Sequence, residues 1–193
     1  MLPAFKFAWV PNSVQTGVET IYKHPNVYGM DITTSGRDRL IIAPSEEHVR
    51  LIIDLIDVMP EPLWILYVLV DPRGGSEKDA GRYQSSDVSR PEAAEFLRRF
   101  NDFLEYDGRH NVWVKSAFSP DLLVYDRHNV IYAYGQLREF EAVVAKWGLS
   151  RSNHFQVPYP HYHRSNTIFD TDQKAVLRYW NWWQSPLCGE DDD

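Results

Sequence analysis

Hydrophobic positions along this chain recur with two different periods, and the switches between them come at irregular intervals. Phe5 to Val10 is apolar enough for a strand and stops at Pro11-Asn12. Val27 to Thr33 and Arg39 to Ala43 read as the arms of a hairpin around Ser35-Gly36-Arg37-Asp38. From Glu46 to Val58 the period changes. Val49, Ile52, Ile53 and Ile56 follow the i, i+3, i+4, i+7 spacing of one buried helix face, with Ser45 placed to cap it and Pro60 and Pro62 to stop it. Trp64 to Val70 is continuously apolar and rich in β-formers, as expected of a strand buried on both faces. Asp71 to Ser86 is polar, contains Pro72, Gly74, Gly75 and Gly81, and reads as a loop.

Beyond it, Ser89 and Glu92 have the spacing of a capping box, with Pro91 in the first turn. Ala93, Phe96, Leu97, Phe100, Phe103 and Leu104 then predict one long amphipathic helix. Asn111 to Phe118 alternates as a strand does. Leu122 to Tyr125 and Val130 to Tyr134 predict a hairpin around Asp126-Arg127-His128-Asn129, ended by Gly135. A further helix carries Leu137, Phe140, Val144 and Trp147 inward and terminates at Gly148. Pro158 and Pro160 hold His154 to His163 extended. Thr171 or Asp172 opens a last helix with Val176, Tyr179, Trp180 and Trp183 on its inner face. Hairpins mixed with helices, without a regular βαβ rhythm, predict an α+β fold: a mixed, mostly antiparallel sheet covered by about four helices. No repeat or dividing linker interrupts the chain, so residues 1–193 read as a single globular domain with a short acidic tail at 190–193.

Composition supports a packed core. The chain is 44% apolar and 14% aromatic, and at this length folding hides about 70% of the unfolded surface. The single cysteine, Cys188, excludes an intrachain disulfide and leans toward a reducing compartment. The N-terminus lacks the pattern of a signal peptide. The longest apolar run, Leu63 to Val70, is far short of the ~20 residues that span a bilayer. The expected location is cytoplasmic, with no membrane partner. Of the net charge of −7, four charges belong to Glu190, Asp191, Asp192 and Asp193, which leaves −3 on the body. That balance disfavours nucleic acid, whose binding rests on Lys and Arg neutralising phosphates.

Candidate chemistry is confined to a few places. In Pro158-Tyr159-Pro160-His161-Tyr162-His163-Arg164, residues two apart on an extended backbone share a side, so His161 and His163 can ligate one metal. His154 or Asp170 is available as a third ligand, and zinc or iron suits such a set. Without a metal, Tyr159, Tyr162 and His163 make the same segment a contact surface. Arg73, Gly74 and Gly75 follow the apolar strand as a candidate phosphate-binding loop, although neither GxxxxGK[ST] nor GxGxxG is present. In Trp180-Asn181-Trp182-Trp183, helical spacing turns Trp182 outward, where it can anchor a partner or stack on a sugar. His128 reads as part of the hairpin turn's own chemistry. No nucleophile elbow is present, and Cys188 beside acidic residues has no favoured thiolate.

The profile is acidic, aromatic-rich and without a catalytic motif, and in type it is similar to small partner-binding proteins such as immunity proteins. The leading expectation is therefore a non-enzymatic protein-binding module without cofactor, its partner basic. The alternatives are a metal-dependent hydrolase built on His161 and His163, and a sugar-binding module using Trp182.

Overall fold

A computed structural model gives the structure and describes residues 6–9, 20–73, 80–152 and 154–191. The first half contributes strands β1 (Phe7–Trp9), β2 (Thr20–Ile21), β3 (Val27–Ile32), β4 (Asp38–Ala43), β5 (Leu63–Leu69) and β6 (Gly81–Gln84), with helix α1 (His48–Ile56) between β4 and β5. Helices α2 (Arg90–Arg99) and α3 (Asn101–Tyr106) follow. Then come β7 (His110–Ser116), β8 (Leu122–Tyr125), β9 (Ile131–Tyr134), α4 (Leu137–Lys146) and β10 (Ser150–Arg151). The chain ends with β11 (His161–His163), α5 (Asp170–Val176) and β12 (Trp183–Ser185).

The fold is α+β. Nine strands form one sheet in the order β10-β3-β4-β9-β8-β7-β5-β6-β12. Every neighbouring pair is antiparallel except β10 on β3, at one edge. Strands β11, β1 and β2 form a second, three-stranded antiparallel sheet.

Strand alternation explains the core. Leu63, Ile65, Tyr67 and Leu69 of β5 point one way and join Leu40, Ile42, Val112, Val114, Leu123 and Ile131 beneath the helices. Leu66 and Val68 point the other way and are buried as well, which is why β5 reads as an unbroken apolar run. Burying one Val, Leu or Ile contributes about 1.5–3 kcal/mol, so this shared face dominates the stability of the fold.

Local departures from the sequence reading have physical causes. Ser45 does not cap α1. Glu47 precedes the helix in the left-handed region at φ 57, without a side-chain cap. Instead the buried carboxylate of Glu105, from α3, accepts the Val49 N–H at 2.8 Å. The capping box of α2 is present as predicted: the Ser89 N–H donates to Glu92 Oε2 at 2.7 Å, and the Glu92 N–H donates to Ser89 Oγ at 3.4 Å. The single helix expected there breaks at Phe100 (φ −105) and resumes as α3, which raises the described helices to five. The polar stretch 71–86 is not all loop, because Gly81–Gln84 pairs with both β5 and β12. A ladder is made by backbone groups, so a polar strand between two partners needs only Tyr83 to face the core.

The last helix ends at Val176, short of the tryptophans. Trp183 lies on the edge strand β12 and is 72% exposed, whereas Trp182 packs at 5.9 Å from the Phe96 ring and its indole N–H donates to the Val176 carbonyl at 2.9 Å. The expected orientations of these two residues are therefore reversed. The acidic end is partly spent in structure. Asp191 is buried and receives both Arg82 Nε and Arg82 Nη2.

Candidate metal centre

The site begins with a turn. Between β8 and β9, residues 126–130 form a five-residue connection in which Asn129 takes the left-handed conformation at φ 61. Asp126 Oδ1 accepts the backbone N–H groups of His128 and Val130, each at 2.9 Å, the local bonding that makes Asp a turn former. Its second oxygen, Oδ2, accepts from His128 Nδ1 at 2.8 Å. Burial pushes the Asp126 carboxyl up, but the bonds from His128 and Val130 and the charge of Lys6 outweigh it and hold the group below its usual value. Asp126 is thus an anion that fixes the ring of His128.

The other two rings come from the small sheet. Strand β11 pairs antiparallel with β1, His163 opposite Phe7 and His161 opposite Trp9. Two-residue alternation puts His161 and His163 on one side, as the sequence predicts. His161 Nδ1 donates to the Pro158 carbonyl at 2.8 Å. The ring of His163 bonds the Arg127 backbone, while its Nδ1 is buried and has no hydrogen-bond partner.

These bonds decide where the lone pairs lie. A carboxylate and a carbonyl only accept, so in the neutral rings Nδ1 of His128 and of His161 carries the proton and Nε2 carries the lone pair. Those two Nε2 atoms are 3.2 Å apart. His128, His161 and His163 together offer three nitrogens within 4.8 Å of one another. A tetrahedral zinc with Zn–N of about 2.0–2.1 Å has ligand–ligand edges of about 3.3 Å, so the first pair already has the right spacing. Desolvation, and then the charges of Arg127, His128 and His161, pull His163 down to about 3, so it stands as a neutral ring.

The surroundings hold these rings in place. Phe7 is buried and forms an apolar floor, its ring centre 5.1 Å from that of His161 and 5.7 Å from that of His128. The His24 Nε2–H donates to the His128 carbonyl at 2.6 Å, which ties down the backbone of that ligand. Burial lowers His24 to about 4. None of the three clustered histidines is fully buried. Tyr159 flanks the cluster as an exposed rim residue, 85% exposed and 6.2 Å from the His161 ring.

The remaining sequence candidates fall elsewhere. His154 is exposed and outside the cluster. Asp170 is also outside it and pairs with Arg73, whose guanidinium bridges Asp170 and the buried Asp107. Arg73 is thereby engaged by two carboxylates. Gly74 and Gly75 lie outside the described residues. Tyr162 faces away from the histidine pair and lies 5.6 Å from the Arg164 guanidinium. The third ring is His128, which the sequence assigns to turn chemistry and the structure brings to the histidine pair. The one available signal was Asp126 two residues before it, a carboxylate able to orient an imidazole. Comparisons with protein-family models, with curated proteins and with solved structures give no match.

Proposed function

We propose that this protein is a metal-dependent hydrolase, with His128, His161 and His163 holding one zinc ion and water taking the fourth position. The observation that supports it is the meeting of three imidazoles, two of them with Nδ1 engaged by a protein acceptor and Nε2 left for a common centre. A shared proton joins only two nitrogens; a cation serves three. Neutral nitrogen ligands without thiolate favour zinc or copper over calcium or magnesium. Three protein ligands with a fourth position left over are the pattern of catalytic rather than structural zinc. When bound there, zinc supplies Lewis acidity and a water acidified to a pKa of about 7. The protein's own share is to orient the rings, exclude water from the Phe7 side and admit substrate past Tyr159.

The test is metal content and hydrolysis on untagged protein. Wild type is expected to carry about one zinc per chain and to cleave an activated ester or phosphoester. His161→Ala and His128→Ala should each lose both properties. Wild type that stays metal-free after zinc loading would sink the proposal. A binding role for the same rim is favoured by the exposed Tyr159, and pull-down at low salt with Tyr159→Ala as control tests it.

A further inference from the structure

We infer that Asp126 is a positioning residue that makes His128 a metal ligand by fixing its tautomer, an assignment that rests on the metal reading above. The argument starts from the division of labour between its two oxygens. Oδ1 serves the backbone, accepting the N–H groups of His128 and Val130 at 2.9 Å. Oδ2 serves the ring alone, accepting from Nδ1 at 2.8 Å. Because a carboxylate has no proton to give, Nδ1 of His128 must supply it, and the lone pair falls on Nε2. Nε2 is the atom that meets His161 Nε2 at 3.2 Å. Reversing the tautomer would put an N–H at the point where a cation must sit.

Neighbouring groups reinforce this role. Lys6 is fully buried beneath the turn. The Lys6 Nζ lies 3.5 Å from the centre of the Tyr125 ring, on the residue before Asp126. His24 meanwhile holds the carbonyl of His128. Ring and backbone of one ligand are thus fixed from two independent sides, which is the support that metal-ligating histidines ordinarily receive.

Asp126→Asn separates the two functions. The amide oxygen can still accept from the His128 and Val130 N–H groups, so the turn keeps its bonds. The amide nitrogen now donates toward Nδ1, which moves the ring proton to Nε2. Zinc affinity is expected to fall about 10–100-fold, the usual cost of removing such a partner. In metal-free protein, imidazole ¹⁵N shifts should report Nδ1–H for His128 in wild type and Nε2–H in the variant, which a merely structural role would not produce. His161→Ala serves as the control that abolishes zinc without touching Asp126. Unchanged zinc affinity in Asp126→Asn, or an unswitched tautomer, overturns the inference while the metal reading stands. A tautomer that switches in Asp126→Asn, together with a wild type that takes up no zinc, overturns the metal reading and leaves Asp126 as the residue that sets the ring.

Discussion

His128 Nε2 and His161 Nε2 face each other at 3.2 Å although 33 residues separate them in the chain. One belongs to a hairpin tip of the large sheet and the other to the small sheet, so their meeting joins the two sheets. With each Nδ1 bonded to an acceptor, two lone pairs are opposed in the neutral rings, and that arrangement is relieved only by a proton or a metal ion.

Because the ligands come from both sheets, metal binding should stabilise the fold. Zinc held at 100-fold over its Kd adds about 2.7 kcal/mol, a rise of roughly 5–10 °C in Tm for a chain of this size. A chelator should reverse it. In the double variant His161→Ala, His163→Ala the Tm should not respond to zinc, and differential scanning calorimetry checks both.

Lys6 gives the protein an alkaline stability trend. Its Nζ is buried without a hydrogen-bond partner, and desolvation lowers it from 10.5 to about 7 against the pull of Asp126 and Glu105. Between those values the unfolded chain binds the proton that the folded chain lacks, so stability rises with pH from about 7 toward 10. Below pH 7 both states carry the proton and the contribution is gone. Lys6→Met should flatten this slope, by a few kcal/mol over the window at most, in urea titrations at pH 7 and pH 9.5.

Gly108 couples packing to the metal centre. A Cβ there would lie 2.9 Å from the His163 Cβ and 3.1 Å from the Arg164 N. Backbone and the root of a ligand side chain have no free rotamer to yield, so Gly108→Ala should displace β11. The expected result is a loss of about 1–3 kcal/mol of stability together with weakened zinc binding, read by denaturation and chelator competition.

The two adjacent tryptophans should separate cleanly. Trp182→Ala removes a ring packed on Phe96 and Trp180 and a bonded indole N–H, and should cost about 2–4 kcal/mol. Trp183→Ala, at an exposed edge position, should stay within about 0.5 kcal/mol. Equal losses in chemical denaturation would contradict this assignment.

What the sequence by itself determined was set by neighbours in the chain. Period-2 and period-3.6 patterns located β3–β4, β5, β8–β9, α1, α2 and α4, the Ser89–Glu92 box is local chemistry, and alternation alone placed His161 and His163 on one side. Tertiary structure decided what depends on contacts between distant segments. Glu105 replaced Ser45 at the start of α1, because a buried carboxylate from α3 lies where the free N–H points. Gly81–Gln84 became a strand because β5 and β12 offered it backbone partners. His154 and Asp170, the nearby ligand candidates, gave way to His128. Nearness in sequence does not bring side chains together when Pro158 and Pro160 keep the chain extended, whereas the pairing of β1 with β11 carries His161 and His163 to the tip of a hairpin whose Asp126 had already aimed the third ring.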